Sequence, residues 1–143
     1  MQAGLSSRTL KAFDHVGIRV TQKKRSIQFY ERLGFSQTGY FPNHEANEMT
    51  NEEGLRINLI FNGSRRPDRN NILLDQPIKW PGFTHPTFVV EDLYQLRDWL
   101  IKEGITITED IHSLGPRRIT LFIRDPDGNV LEFNQLTTTH AKQ

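Results

Sequence analysis

The chain has no cysteine in its 143 residues, and that absence removes disulfides, thiolate metal sites and a cysteine nucleophile from consideration. It also lacks an excess of either charge: 18 Lys and Arg stand against 17 Asp and Glu, a formal net charge of +1. A protein that grips nucleic acid or an anionic membrane carries a broad basic footprint, and none is evident. The pairs Arg65-Arg66 and Arg117-Arg118 read as isolated, solvated loop charges. Long apolar runs are missing too. No stretch approaches the roughly 18 residues that cross a bilayer, and the opening MQAGLSSRTLKAF has no hydrophobic signal core. The expectation is a soluble, cytoplasmic chain that forms one structural domain and buries most of its apolar surface unaided.

What is present is organised around Ile119 to Gln135, ITLFIRDPDGNVLEFNQ. Alternating apolar residues flank Asp125-Pro126-Asp127-Gly128, where Pro presets φ and Gly tolerates a left-handed backbone, so the stretch reads as a hairpin. Glu132 lies between Leu131 and Phe133, and a period of two points its carboxylate to the face opposite those two. A carboxylate with so few polar neighbours needs a cation, a donor or water.

Taken in order, residues 1 to 11 read as a polar arm, and Phe13 to Val20 as a strand with His15, Gly17 and Arg19 on its polar face. Thr21 is placed to cap the helix QKKRSIQFYERL, and Gly34 to end it. Phe35 to Phe41 reads as strand, Pro42 to Thr50 as loop with a strand beginning near Glu48, and LRINLIF as strand after an Asn51 to Gly54 turn. The pattern restarts at Phe83. FTHPTFVV is a strand, Asp92 a cap, LYQLRDWLIKE a helix and Gly104 its stop.

The restart is a duplication. A shift of 70 places Phe13 on Phe83, His15 on His85, Val20 on Val90, Phe29 on Trp99 and Gly34 on Gly104 without a gap; a shift of 74 places Gly54 on Gly128 and Asn58 on Glu132. Each half is then strand, helix and about three strands, over 12–62 and 82–136, joined by an irregular connection over 63–81. Pseudo-twofold halves bring equivalent positions together, so His15, His85 and Glu132 are expected around one pocket, with Asn58 at the fourth position. Two imidazoles and a carboxylate with open positions suit one divalent ion such as Mn, Fe, Co, Ni or Zn. His44, His112 and His140 have no repeat partner and read as surface residues of loops or the tail. Arg19, on the face of His15, is a candidate substrate contact, with a solvated sheet-edge charge as the alternative.

DHVGIRV, RSIQFYERLGF, FTHPTFVV and FIRDPDGNVLEF together resemble the vicinal oxygen chelate superfamily, over about Phe13 to Gln135. This group includes glyoxalase I, extradiol dioxygenases, fosfomycin-resistance thiol transferases and bleomycin-resistance proteins. The resemblance implies an α+β fold of two tandem βαβββ modules making a cupped mixed sheet around a metal. It puts metal ligands at His15, His85 and Glu132, an optional fourth ligand or substrate contact at Asn58, and pocket residues at Thr120 and Phe122. It also implies a small-molecule substrate that chelates the metal through adjacent oxygens, Glu132 as the catalytic proton carrier, and often a homodimer, for which Asn71 to Leu74 offers apolar material. Glyoxalase I usually has a carboxylate where Asn58 stands, and extradiol dioxygenases have a Tyr where Phe122 stands. The expectations are a glyoxalase-like lyase or isomerase, with an extradiol-type dioxygenase, a drug-sequestering binder or a module with a vestigial site as alternatives.

Overall fold

The computed structural model describes residues 4–68 and 70–137; residues 1–3 of the arm and His140 lie outside the described residues. Its elements fall into two like sets. The first is β1 (Val16–Arg19), α1 (Lys23–Arg32), β2 (Ser36–Phe41), a 3-10 turn (Pro42–His44), β3 (Ala46–Thr50) and β4 (Arg56–Ile60). The second is β5 (Thr87–Val89), α2 (Leu93–Lys102), β6 (Ile107–Ser113), β7 (Arg118–Arg124) and β8 (Val130–Leu136). Between β4 and β5 the described residues form neither helix nor strand. Each set folds as its own four-stranded mixed sheet, in the orders β1-β4-β3-β2 and β5-β8-β7-β6.

The doubling extends to register. α1 and α2 have equal length at an offset of 70, and Gly17 pairs with Asn58 across β1 and β4 just as Thr87 pairs with Glu132 across β5 and β8. Both of these pairings are parallel and the rest antiparallel, and the strand orders leave β1 and β5 as edges of their sheets, opposite the edges β2 and β6. Asp92 caps α2 as expected, its Oδ1 accepting from Gln95 N at 3.0 Å. Gly34 (φ 101°) and Gly104 (φ 73°) end the helices in the left-handed conformation that costs glycine least.

The halves share one core. Phe35 meets Phe88 edge to face at 6.1 Å, Phe88 meets Phe133 at 5.8 Å, and fully buried Leu100, Leu121, Ile123 and Leu131 continue the same apolar cluster from Tyr30, Met49 and Leu59. Each such side chain contributes about 1.5–3 kcal/mol relative to exposure.

A polar dock joins α1 to the turn between β7 and β8. Asp125 closes the turn on itself, its Oδ1 accepting from the backbone of Asp127 and Asn129, and its Oδ2 accepts from the Tyr30 hydroxyl at 2.8 Å. Asp127 accepts from Thr21 through both backbone and hydroxyl and from Arg25 Nη2 at 2.9 Å. This corrects the expected cap. Gln22 is the N-cap residue and makes no side-chain cap bond, and the Thr21 hydroxyl donates instead to Asp127 of the other half.

Two further expectations change. The loop foreseen over Pro42 to Thr50 is a 3-10 turn ended by Glu45 at φ 50°, after which β3 runs from Ala46, two residues before Glu48. His112 lies in β6 rather than a loop; that strand breaks register twice against β7, which hides its alternation in the sequence.

Burial pushes the Tyr30 phenol well above its ordinary range, with the charges of Asp125 and Asp127 acting in the same sense, so the hydroxyl stays protonated and donates. Burial also raises Asp125 above the usual 3.8, against the hydrogen bonds it accepts from Asn129, Tyr30 and the Asp127 backbone. A carboxyl raised on folding favours the folded state most below its unfolded pKa, and that contribution is lost as pH rises through the folded value. Tyr30→Phe removes a donor to the ionised form and raises the group further. The expected result in urea unfolding is a loss of about 1.5–3 kcal/mol at pH 7, shrinking as pH falls towards 4.

Candidate functional site

Glu132 stands at the centre of β8, between β5 and β7, and is 5% exposed. Its neighbours Leu131 and Phe133 face the core, so the pleat turns the carboxylate to the opposite face, where two hydroxyls and an imidazole meet it. Oε1 accepts from Thr87 Oγ1 at 2.9 Å and lies 2.9 Å from His85 Nε2; Oε2 accepts from Thr120 Oγ1 at 2.7 Å. His85 Nδ1 is in turn 2.9 Å from Thr84 Oγ1. Phe122, opposite Glu132 on β7, packs edge-on to the His85 ring at 5.4 Å and stacks on His112 at 6.4 Å. Burial pushes the Glu132 carboxyl up, but the bonds from Thr120, Thr87 and His85 and the His85 charge together bring it below its usual 4.5. The carboxylate is therefore ionised and pre-oriented.

The first half carries the equivalent positions in a different state. His15, ahead of β1, has its side chain 40% exposed and its Nδ1 2.8 Å from Asp14 Oδ1, while Asp14 also accepts from Arg56. Asn58, half-buried on β4, has a buried Oδ1 without a partner among the described residues and lines a cavity of about 670 Å³ with His44 and Asn62.

One chain thus gathers His85 and Glu132 but not His15. Among the described residues no group of three His, Cys, Asp or Glu side chains is placed to hold a metal, so the expectation of one shared pocket is not met within a single chain. The physical reason is the docking mode. The halves are tied by α1 and the β7–β8 turn, and the edges β1 and β5, beside which the two histidines lie, are not bonded to each other.

The remaining candidates separate by location. Thr120 belongs to the cluster, and its hydroxyl serves Glu132. Phe122 walls His85. Arg19 stands apart, donating from Nε to Asn62 Oδ1 at 2.9 Å and lining a different cavity with Asp127. Sequence reasoning missed Thr87 and Thr84. The signal for Thr87 was available, since it follows His85 by two and shares its face of the strand.

The donor chemistry fits a divalent ion. An imidazole nitrogen and a carboxylate oxygen 2.9 Å apart match adjacent ligands on bonds of about 2.0–2.2 Å, and the threonine hydroxyls orient both in the manner of outer partners in metal sites.

A family model described as the Glyoxalase/Bleomycin resistance protein/Dioxygenase superfamily matches residues 12–133. The glyoxalase domain-containing protein RDO1 of Mycosarcoma maydis is 27% identical over 131 residues, covering 88% of this chain and 69% of that protein. Among solved structures, a glyoxalase/dioxygenase from Nostoc punctiforme superposes with a TM-score of 0.72 at 17% identity, covering 95% of this chain and 98% of that one. A virulence protein from Salmonella typhimurium gives 0.65 at 23%, covering 90% and 98%. At these identities the two structures speak for the fold alone.

Thr120→Val keeps the shape of the side chain and leaves a buried, ionised oxygen of Glu132 without its donor. It is expected to cost about 1.5–3 kcal/mol in urea unfolding; a variant as stable as the parent would mean that the hydroxyl does not hold the carboxylate.

Proposed function

Because the chain belongs to the glyoxalase/bleomycin resistance protein/dioxygenase superfamily, we propose that it is a divalent-metal-dependent enzyme acting on a small molecule with two adjacent oxygens, in the manner of a lyase or isomerase. The observation that carries this reading is the pairing of buried Glu132 with the solvent-accessible His85, whose ring and carboxylate are held by Thr84, Thr87 and Thr120. When bound, the ion supplies Lewis acidity for an oxyanion developing on the substrate. Glu132 is the residue able to carry a proton between substrate carbons, since the amide of Asn58 cannot accept one; proton transfer therefore rests on a single carboxylate. Phe122 packs against the His85 ring beside it.

His15 joins this pair in a homodimer. Three observations support that reading: both β1 and β5 are open edges, the two histidines lie beside them, and the repeat-equivalent Phe13 and Phe83, each two residues before its histidine, are 85% and 99% exposed. The edge of β1 from one copy meeting that of β5 from the other would cover both phenylalanines and bring His15 to His85 and Glu132. A second reading, a metal-free binder, is favoured by the absence of a three-ligand group among the described residues of one chain.

Elemental analysis of protein purified without a histidine tag separates the two readings. The enzyme reading expects one divalent ion per chain, lost in His15→Ala and in His85→Ala. When the two variants are co-expressed with different tags and the mixed dimer is isolated, one ion per dimer is expected, because one of its two sites then has both histidines intact. A mixed dimer without metal would overturn the shared site, and a metal-free parent would favour the binder.

A further inference from the structure

A cavity of about 700 Å³ lies where the irregular connection crosses between the halves, and Arg19, Arg25, Arg65 and Arg66 all line it. Asp127 is the only acidic residue in its lining among the described residues, and it is committed to Arg25 and Thr21. Arg65 and Arg66 are exposed and make no hydrogen bond or ion pair among the described residues, while Arg19 uses only its Nε, on Asn62. Three guanidiniums thus face one concavity without a counter-charge, in a chain whose net charge is only +1. The sequence reading of Arg65-Arg66 as isolated loop charges missed Arg19, which is over forty positions away in the chain and adjacent only in space.

The connection is fastened on either side of Arg65 and Arg66. Asp75 receives both terminal amines of Arg124, at 2.5 and 2.7 Å, and the backbone N–H of Asn71. The Asn71 side chain donates to the Gly128 carbonyl and accepts from Leu73 and Leu74, and Lys79 Nζ donates to the Leu74 and Gln76 carbonyls. Where the segment leaves β4, Gly63 donates to the Val20 carbonyl at 3.0 Å, and a Cβ there would come within 2.8 Å of that oxygen, so only glycine lets the chain run this close. Irregular segments longer than about 12–15 residues are uncommon in compact domains and usually functional. Here the tied residues hold a basic wall against the β7–β8 turn.

From this arrangement we infer that the cavity is a binding site for a small molecule bearing a phosphate group. Arginine recognises phosphate through paired N–H donors, and several such groups converging on one concavity match a dianion better than a single carboxylate. A phosphate monoester carries about −1.5 to −2 charges near pH 7, which offsets most of the uncompensated positive charge. Ile72 and Leu73 supply an apolar side to the same cavity, suited to the ligand's organic part. The volume lies within the roughly 300–1,000 Å³ typical of small-molecule sites. The inference does not depend on the metal reading, since none of these arginines touches His85 or Glu132 among the described residues.

Calorimetric titration of the full chain, freed of metal by chelation and dialysis, with phenyl phosphate tests it, using benzoate at equal ionic strength as the carboxylate comparison. The expected result is saturable binding of phenyl phosphate, with benzoate at least about tenfold weaker. Binding is expected to weaken about tenfold or more in Arg65→Ala/Arg66→Ala and to stay within about twofold in Arg117→Ala/Arg118→Ala, which removes the same charge outside the cavity. No saturation in the parent, equal loss in the two double variants, or equal affinity for benzoate would each overturn the assignment. Because Arg65 and Arg66 are exposed and unbonded, their replacement should leave the ligand-free unfolding midpoint unmoved, which separates lost binding from lost folding.

Discussion

The dock between α1 and the β7–β8 turn is the constraint on which the rest of the structure depends. Each half could form its sheet from its own alternation, but a four-stranded sheet with one helix has too little core to stand alone, and the halves need a fixed relation before Phe35, Phe88 and Phe133 can pack. Asp125 and Asp127 supply it. The first is buried and receives a phenol, the second takes a hydroxyl, a backbone amide and a guanidinium from the other half. Apolar packing alone is non-directional; these bonds select one orientation of α1 over the hairpin and hence one angle between the sheets. The turn read in the sequence as a connector is therefore also the place where the halves are joined.

The same economy appears at Glu132. A carboxylate in a sheet interior is costly unless it is satisfied, and its two oxygens are met by Thr87, Thr120 and His85 from the two strands beside it. The parallel pairing of β5 with β8 sets Thr87 across from Glu132, so the register that builds the second sheet also builds the cluster. In the first half the same register sets Gly17 across from Asn58, where no hydroxyl stands on the partner strand, and the amide oxygen is left without a partner among the described residues. Duplication preserved the scaffold while the two sites diverged.

Much of the fold was legible because its signals are local. The helices begin and end where the apolar spacing, Asp92, Gly34 and Gly104 place them, and the turn at 125–128 follows from its proline and glycine. The offset between the repeats, read from Phe13, His15 and Gly34 against their later counterparts, recurs in the strand register. What escaped was decided in space. Thr21 is a good cap by type, but a carboxylate from residue 127 takes its donors. His112 reads as loop because β6 slips register twice, and the length of β3 is set by its pairing with β4 rather than by its own alternation. Of the candidate ligands, the nearness of His85 to Glu132 was accessible from the repeat, whereas the separate surroundings of His15 depend on how the halves dock. Arg19, Arg65 and Arg66 gave no joint signal, because only the path of the connection brings them together.

The open edges of β1 and β5 have a topological consequence. They are unlike edges of the same chain, so joining them head to tail admits two outcomes: a reciprocal pair in which every β1 and β5 edge is satisfied, or an unending row of copies with one of these edges unsatisfied at each end. The angle between the two sheets decides which outcome closes, and that angle is fixed by a handful of oxygen and nitrogen atoms at residues 21, 25, 30, 125 and 127. A change at that joint would therefore shift which of the two outcomes such a joining closes.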